Sequence, residues 1–298
     1  MENAVDFLTQ NWEYGAEVCL AAFALFHSAR EIKQACDALR LACAGSGALT
    51  FKQKAKILVR KIEKDSGKQM FWAESLVMTY MMAFGGGILA PFLLGKPPVM
   101  FVNDLIVPLV AVCWFVSNRA EGPIFALINT PIMKQVILVL SEVFRANSMC
   151  GIVVLSNSIL KPGKHYPIAL WGPILLGTVG GCGGLFLPLD KGLKGLKNGA
   201  PWPLQSAFYG SMFFNLFVYD PNVGPYLRDA AALFLDGDLV VQGRAIVAGF
   251  LCVVALAQTL ISPAFNPFTP VHNVVYTVTG VPNPEAVAVA TGEKPKAD

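Results

Sequence analysis

Long apolar stretches alternate with shorter polar ones along this chain of 298 residues, and a window of membrane length laid over them predicts seven helical spans. They fall at about residues 14–35, 70–94, 99–117, 131–155, 167–189, 204–219 and 244–261. The first turns amphipathic after His27 and Arg30, and the third follows a tight reversal at Gly95-Lys96-Pro97-Pro98. For the fourth span, residues 123–143 and 134–160 both qualify; we place it at 131–155, approached through the membrane-associated stretch GPIFALINT. Residues 1–262 then read as one transmembrane domain, and the Pro-rich segment 263–298 as a disordered tail. The opening MENAVDFLTQNWEYGAE is polar and acidic rather than a cleavable leader, so insertion through the first span is expected.

Two of the spans break the pattern. Gly85, Gly86 and Gly87 interrupt the second, and Gly177, Gly180, Gly181, Gly183 and Gly184 interrupt the fifth. Glycine costs a helix about 1 kcal/mol relative to alanine, so such clusters need a local cause. Close helix packing through small residues is one. A kinked or partly unwound helix is the other and is favoured here, because three glycines with Pro91 four residues on exceed a packing notch. Unwound backbone within a membrane is tolerated where it lines a cavity, and its freed carbonyls are able to coordinate a cation. The clusters lie three spans apart, hence in helices of opposite direction. If residues 14–119 and 123–220 are repeats, they are related by inverted topology, with the helix at 244–261 added. Neither cluster follows the GxxxxGK[ST] pattern of a phosphate loop.

Composition agrees with a membrane protein: 54% of residues are hydrophobic, 14% are charged, and mean hydropathy is +0.53. The net charge is only +3, but ten Lys or Arg residues crowd into 30–68. Flanked by spans, this run reads as a cytosolic loop with some attraction for anionic lipid rather than as a nucleic-acid arm. Arg119, Lys191, Lys194, Lys197, Lys294 and Lys296 fall on the same side; Lys96, Lys161, Lys164, Arg228 and the acidic group Asp220, Asp229, Asp236 and Asp238 fall on the other. The N terminus is therefore expected in the lumen or exterior and the C terminus in the cytosol.

Seven scattered cysteines show no metal spacing and read as small apolar residues or free thiols; His27, His165 and His272 share no motif. No cluster of acid, base or nucleophile lies within the spans, so no enzyme, cofactor or metal site is expected. The acidic stretch 220–238 is a candidate calcium contact, though its spacing is no known calcium loop. Lys134 stands near the start of the fourth span, where it either snorkels to the interface or faces a pore and attracts an anionic lipid phosphate. Glu142 and Arg145, three apart on the same helix, are set to form a structural ion pair.

Together, FGGGIL and LLGKPP between Phe84 and Phe101, then Lys134-Gln135-Val136 and Ala146-Asn147, resemble the trimeric intracellular cation channels of endoplasmic and sarcoplasmic reticulum. The resemblance spans roughly residues 71–219 and implies a divergent member. It implies an all-helical fold of two inverted three-helix repeats plus a seventh helix, and a homotrimer with one pore per subunit. It also implies potassium permeation that balances charge during calcium release. By position, Gly85, Gly86 and Gly87 match the family's bent second helix, and Gly180, Gly181, Gly183 and Gly184 its bent fifth. Lys134 matches the lysine that faces the pore and contacts a phosphoinositide headgroup in animal members. The chain departs from the family at Gln135, which replaces a glutamate, at Leu138, which replaces a basic residue, and at Gly180, which replaces an arginine. The segment 36–67 is also longer than is usual, and the first span lacks the family's signature. The expected function is thus a potassium-permeable channel of an internal membrane; the alternative is a small-solute transporter alternating access around the glycine hinges.

Overall fold

The structure, a computed structural model, describes residues 71–119, 130–187, 196, 199–232, 235, 237–262 and 265–280. The first predicted span, the basic segment 30–68, Lys191, Lys194, Lys197 and Asp236 lie outside the described residues. Among the described residues the regular elements are all helical. In chain order they are α1 (Phe71–Leu93), α2 (Val99–Val102), α3 (Ile106–Arg119), α4 (Pro131–Ile159), α5 (Trp171–Cys182), a 3₁₀ turn at Gly183–Leu185, α6 (Trp202–Tyr219), α7 (Gly224–Ala231), α8 (Leu239–Leu260) and α9 (Thr269–Thr279).

The ends of these helices follow from local chemistry. α1 stops in a left-handed cap at Gly95, φ +66°, with Lys96 N–H donating to Pro91 O at 2.9 Å and Gly95 N–H to Phe92 O at 3.0 Å. Pro97 and Pro98 then bar any continuation. The third predicted span is divided: Asn103 Oδ1 accepts from Leu105 N–H at 3.0 Å, a local turn that competes with the helix ladder between α2 and α3. α4 starts where Thr130 Oγ1 caps Met133 N–H and Pro131 occupies the first turn. It runs 29 residues, past the predicted end at 155.

Contacts fix the direction of each long helix. Along α1 and α5 the close pairs are Met82 with Gly184, Gly85 with Gly183, and Gly86 with Gly180, so the two run antiparallel. Met149 and Ile152 of α4 meet Gly181 and Gly180 of α5, while Ala207 and Ser211 of α6 meet Gly181 and Gly177, again antiparallel in both cases. Phe214 and Val247 approach Gly243 and Gly210, which sets α8 against α6. α4 and α6 run parallel, tied by Arg145 to Ser206 and by Asn157 to Asn215. Helices α1, α4 and α6 therefore point one way and α5 and α8 the other, the alternation of a chain that crosses a membrane repeatedly.

Two apolar cores result. Ala146, Met149, Val153, Ala207, Phe214 and Leu251 belong to the larger, between α4, α5, α6 and α8; Ala83, Phe84, Ile106, Val110 and Cys113 make the smaller, between α1 and α3. Outside them, large apolar side chains such as Phe92, Phe101, Ile132, Val253 and Leu260 are exposed. In water such a surface would aggregate; in a bilayer it is the solvated surface. Two described helices, α4 and α8, are long and apolar enough to cross a membrane by themselves.

Part of the tail departs from expectation, and residues 281–298 lie outside the described residues. Residues 269–279 form α9, closed by Gly280 at φ +67°, rather than disordered chain. Phe268 holds its start, stacked on Trp202 at 5.8 Å and against Tyr209 at 4.2 Å and Phe250 at 5.7 Å between centroids. Asn266 Nδ2 also donates to Gln205 Oε1 at 2.7 Å.

Candidate functional site

Both glycine clusters fall at one place, where α1 crosses α5. A Cβ on Gly86 would lie 2.0 Å from Gly180 O, one on Gly183 would lie 2.2 Å from Gly86 N, and one on Gly184 would lie 2.2 Å from Met82 O. Backbone thus rests directly on backbone, which only glycine permits on both sides. α1 passes through Gly85–Gly87 as continuous α-helix, whereas α5 ends at Cys182 and tightens into the 3₁₀ turn. The first cluster is therefore not unwound, and the second lies where α5 ends in a tighter turn. The carbonyl oxygens of Gly180 and Met82 lie against the partner helix, where a Cβ on Gly86 or Gly184 would be. Gly87 differs: its nearest neighbour is the Val99 side chain, with a would-be Cβ at 3.4 Å.

On its other sides the second cluster receives α4 and α6. A Cβ on Gly177 would meet Val153 Cγ2 at 2.4 Å and Ser211 Oγ at 2.6 Å, and one on Gly181 would meet the Ala207 Cβ at 2.9 Å. α5 is thus the hub onto which three helices pack, and it joins the two cores.

Lys134 is not part of this crossing. It sits exposed in the first turn of α4, 15 residues before Met149, or roughly 22 Å along the axis. Nearer the hub, Arg145 and Glu142 pair through Nη1 and Oε1 at 3.3 Å, with side chains only 11% and 12% exposed. Arg145 Nη2 donates to Ser206 Oγ, whose own hydroxyl donates to Trp202 O at 2.7 Å, so the pair bridges α4 to α6. The ion pair was legible in the sequence; its Ser206 partner was not, since a serine in an apolar run carries no directional signal. At the opposite end Asn157 Nδ2 donates to Asn215 Oδ1 at 2.8 Å, a second bridge that sequence reasoning missed although lone amides in apolar helices are its usual signature. A cavity of about 350 Å³ opens beside Asn157, between Leu160, Pro167 and Tyr219.

The acidic stretch does not gather into a calcium site among the described residues. Asp220 Oδ1 accepts from Asn222 N–H at 2.7 Å and Val223 N–H at 2.9 Å, and Tyr166 Oη–H donates to Oδ2 at 2.5 Å. Arg228 caps the end of α6 through Phe217 O and Val218 O at 2.7 and 2.8 Å. Burial alone would push the Asp220 carboxyl up, but the Tyr166 hydroxyl, the two amides and the Arg228 charge outweigh it and hold the group below its ordinary value. Asp238 caps α8 through the Val240 and Val241 amides. No group of three His, Cys, Asp or Glu side chains that could hold a metal occurs among the described residues. Cys150 and Cys182 are buried free thiols.

No protein-family model matches the chain, and no curated protein matches it. Among solved structures it is similar to a trimeric intracellular cation channel from C. elegans with bound Ca2+, at 17% identity and TM-score 0.53, over 87% of this chain and 96% of that one. The chain has the fold of a trimeric intracellular cation channel. The channel of the same kind from C. elegans in the absence of Ca2+ gives 17% identity and TM-score 0.49 over 86% of this chain and 100% of that one. A structure of TRIC counter-ion channels in calcium release gives 18% and 0.47 over 80% and 92%. This channel fold is a multi-pass membrane fold, and the exposed apolar surface of the helices agrees with it.

Proposed function

We infer that the protein is a potassium-permeable monovalent cation channel of an endoplasmic or sarcoplasmic reticulum membrane, assembled as a homotrimer with one pore per subunit. It would supply counter-ion flux during calcium release, with its N terminus luminal and its C terminus cytosolic. The observation that carries this reading is the channel fold shared over 87% of the chain, at 0.53 TM-score. The antiparallel glycine crossing supports the inverted repeats behind it. The glycines of both clusters serve as the place where the two pore helices meet and bend against each other. Lys134, exposed at the end of α4 that shares its side with residues 199–202, takes an anionic lipid headgroup such as a phosphoinositide. That contact also offsets its repulsion of cations.

Planar-bilayer recording of the purified full chain in potassium salt tests the proposal. Unitary currents that reverse near the potassium equilibrium potential are expected. Saturable solute uptake without unitary currents would instead establish the transporter alternative.

A further inference from the structure

Buried polar atoms without a hydrogen-bond partner are concentrated on the first half of α4. Gln135 Oε1, Glu142 Oε2 and Arg145 Nε are three of the five such side-chain atoms among the described residues. An unpaired acceptor in an apolar setting is costly, on the order of 1–3 kcal/mol and more when charged, so the two oxygens, Gln135 Oε1 and Glu142 Oε2, point to something that donates or is positively charged, whereas Arg145 Nε is an unpaired donor. Gln135 and Glu142 are seven residues apart, which puts them on one face of the helix about 10 Å from each other along its axis. Seven further on, Met149 occupies the same line and packs on Gly181 of the glycine hub, its Sδ 3.2 Å from a would-be Cβ. Lys134 lies roughly 100° around from this line.

The two oxygens of Glu142 are not equivalent. Oε1 takes Arg145, whose other terminal nitrogen is held by Ser206 on α6 and so cannot swing across to the second oxygen. Oε2 therefore keeps its lone pairs and a share of the negative charge. A carboxylate left wholly free would hold a divalent ion strongly, whereas one half-neutralised by a fixed guanidinium binds a monovalent ion weakly enough to release it.

We propose that the Gln135–Glu142 line of α4 is the cation path of this protein, with Glu142 Oε2 as its charge-selective site and Gln135 Oε1 as the neighbouring step toward the membrane face. The proposal rests on the channel reading and assigns it a selectivity residue other than the glycines and Lys134. Arg145 and Ser206 are positioning residues that set how much charge the carboxylate presents.

Bilayer recording under a KCl gradient tests this in the full-length protein. Glu142→Gln is expected to lower the potassium-to-chloride permeability ratio about threefold or more, Glu142→Asp to keep it, and Gln135→Leu to lower unitary conductance. The double variant Glu142→Ala/Arg145→Ala, which removes both members of the pair and leaves no buried charge, is expected to lose selectivity as Glu142→Gln does. If the pair only braces the helices, the double variant passes current with the original permeability ratio, and the proposal is overturned. Wild-type conductance in Gln135→Leu together with an unchanged ratio in Glu142→Gln overturns it as well, with the channel reading intact. A wild-type chain that passes no current removes the channel reading itself, and the inference with it.

Discussion

Gly86 and Gly151 are both helical glycines, yet a methyl group has different consequences at the two. At Gly86 it would overlap Gly180 O, and no side chain is available there to move aside. Gly86→Ala must part α1 from α5, at about 1–3 kcal/mol or more for overpacking. At Gly151 and Gly249 a Cβ would meet no atom of the described residues within 4 Å, so alanine is expected to raise stability by up to about 1 kcal/mol through helix propensity. Thermal unfolding in detergent should separate the two groups; equal melting temperatures would refute the crossing. Asp220 offers a test by pH. Its carboxyl is held below its ordinary value, so the stability it contributes is complete above the unfolded value near 4 and is lost as pH falls through the lower folded one. The gap in stability between wild type and Asp220→Asn is expected to be about 1–3 kcal/mol near neutral pH and to close on acidification below about 4. A gap that widened instead would show that the carboxyl is raised.

α9 depends on tertiary support. Eleven residues are too few for an isolated helix in water, and the start of this one is anchored by Phe268 among Trp202, Tyr209 and Phe250. Phe268→Ala removes ring contacts worth about 1–1.5 kcal/mol beyond buried area, or roughly tenfold in the opening equilibrium. Faster amide exchange confined to residues 269–279, with α6 and α8 unaffected, is the expected result, and unchanged exchange there would mean the helix is held by other contacts. Its composition misled for a physical reason: proline and small residues lower intrinsic order, but Pro270 falls in the first turn, where it costs no hydrogen bond. α2 and α3 reverse the case, because the apolar residues on both sides of Asn103-Asp104 outweighed the polar pair that turns the chain there.

The alternation of helix direction places whole segments on one side or the other. The turn at 95–98, the loop at 161–170 and the stretch around Asp220 share one end of the bundle, and residues 199–202 with the start of α9 share the other. With the native cysteines replaced, Lys96→Cys, Lys164→Cys and Asn222→Cys are expected to react with a membrane-impermeant maleimide from one face of sealed vesicles. Ala200→Cys and Thr269→Cys should react from the opposite face only. Labelling of Lys96→Cys and Ala200→Cys from the same face would contradict the topology.

Hydropathy and glycine placement were enough to locate α1, α4, α6 and α8 to within a few residues and to foresee that α1 and α5 run in opposite directions, because crossing a bilayer forces apolar length and alternation onto the sequence itself. The pairing of Glu142 with Arg145 was equally local, a consequence of spacing on one helix. Tertiary structure alone decided that the two glycine clusters touch, since residues about 95 apart in sequence meet only through the packing of α5 among α1, α4 and α6. It also decided that Ser206 fixes Arg145 and leaves one oxygen of Glu142 free, and that Asp220 closes a turn over the Asn222 and Val223 amides while Asp238 caps α8. Each of these depends on which groups from distant segments share a small volume, and a linear pattern of polarity carries no record of that.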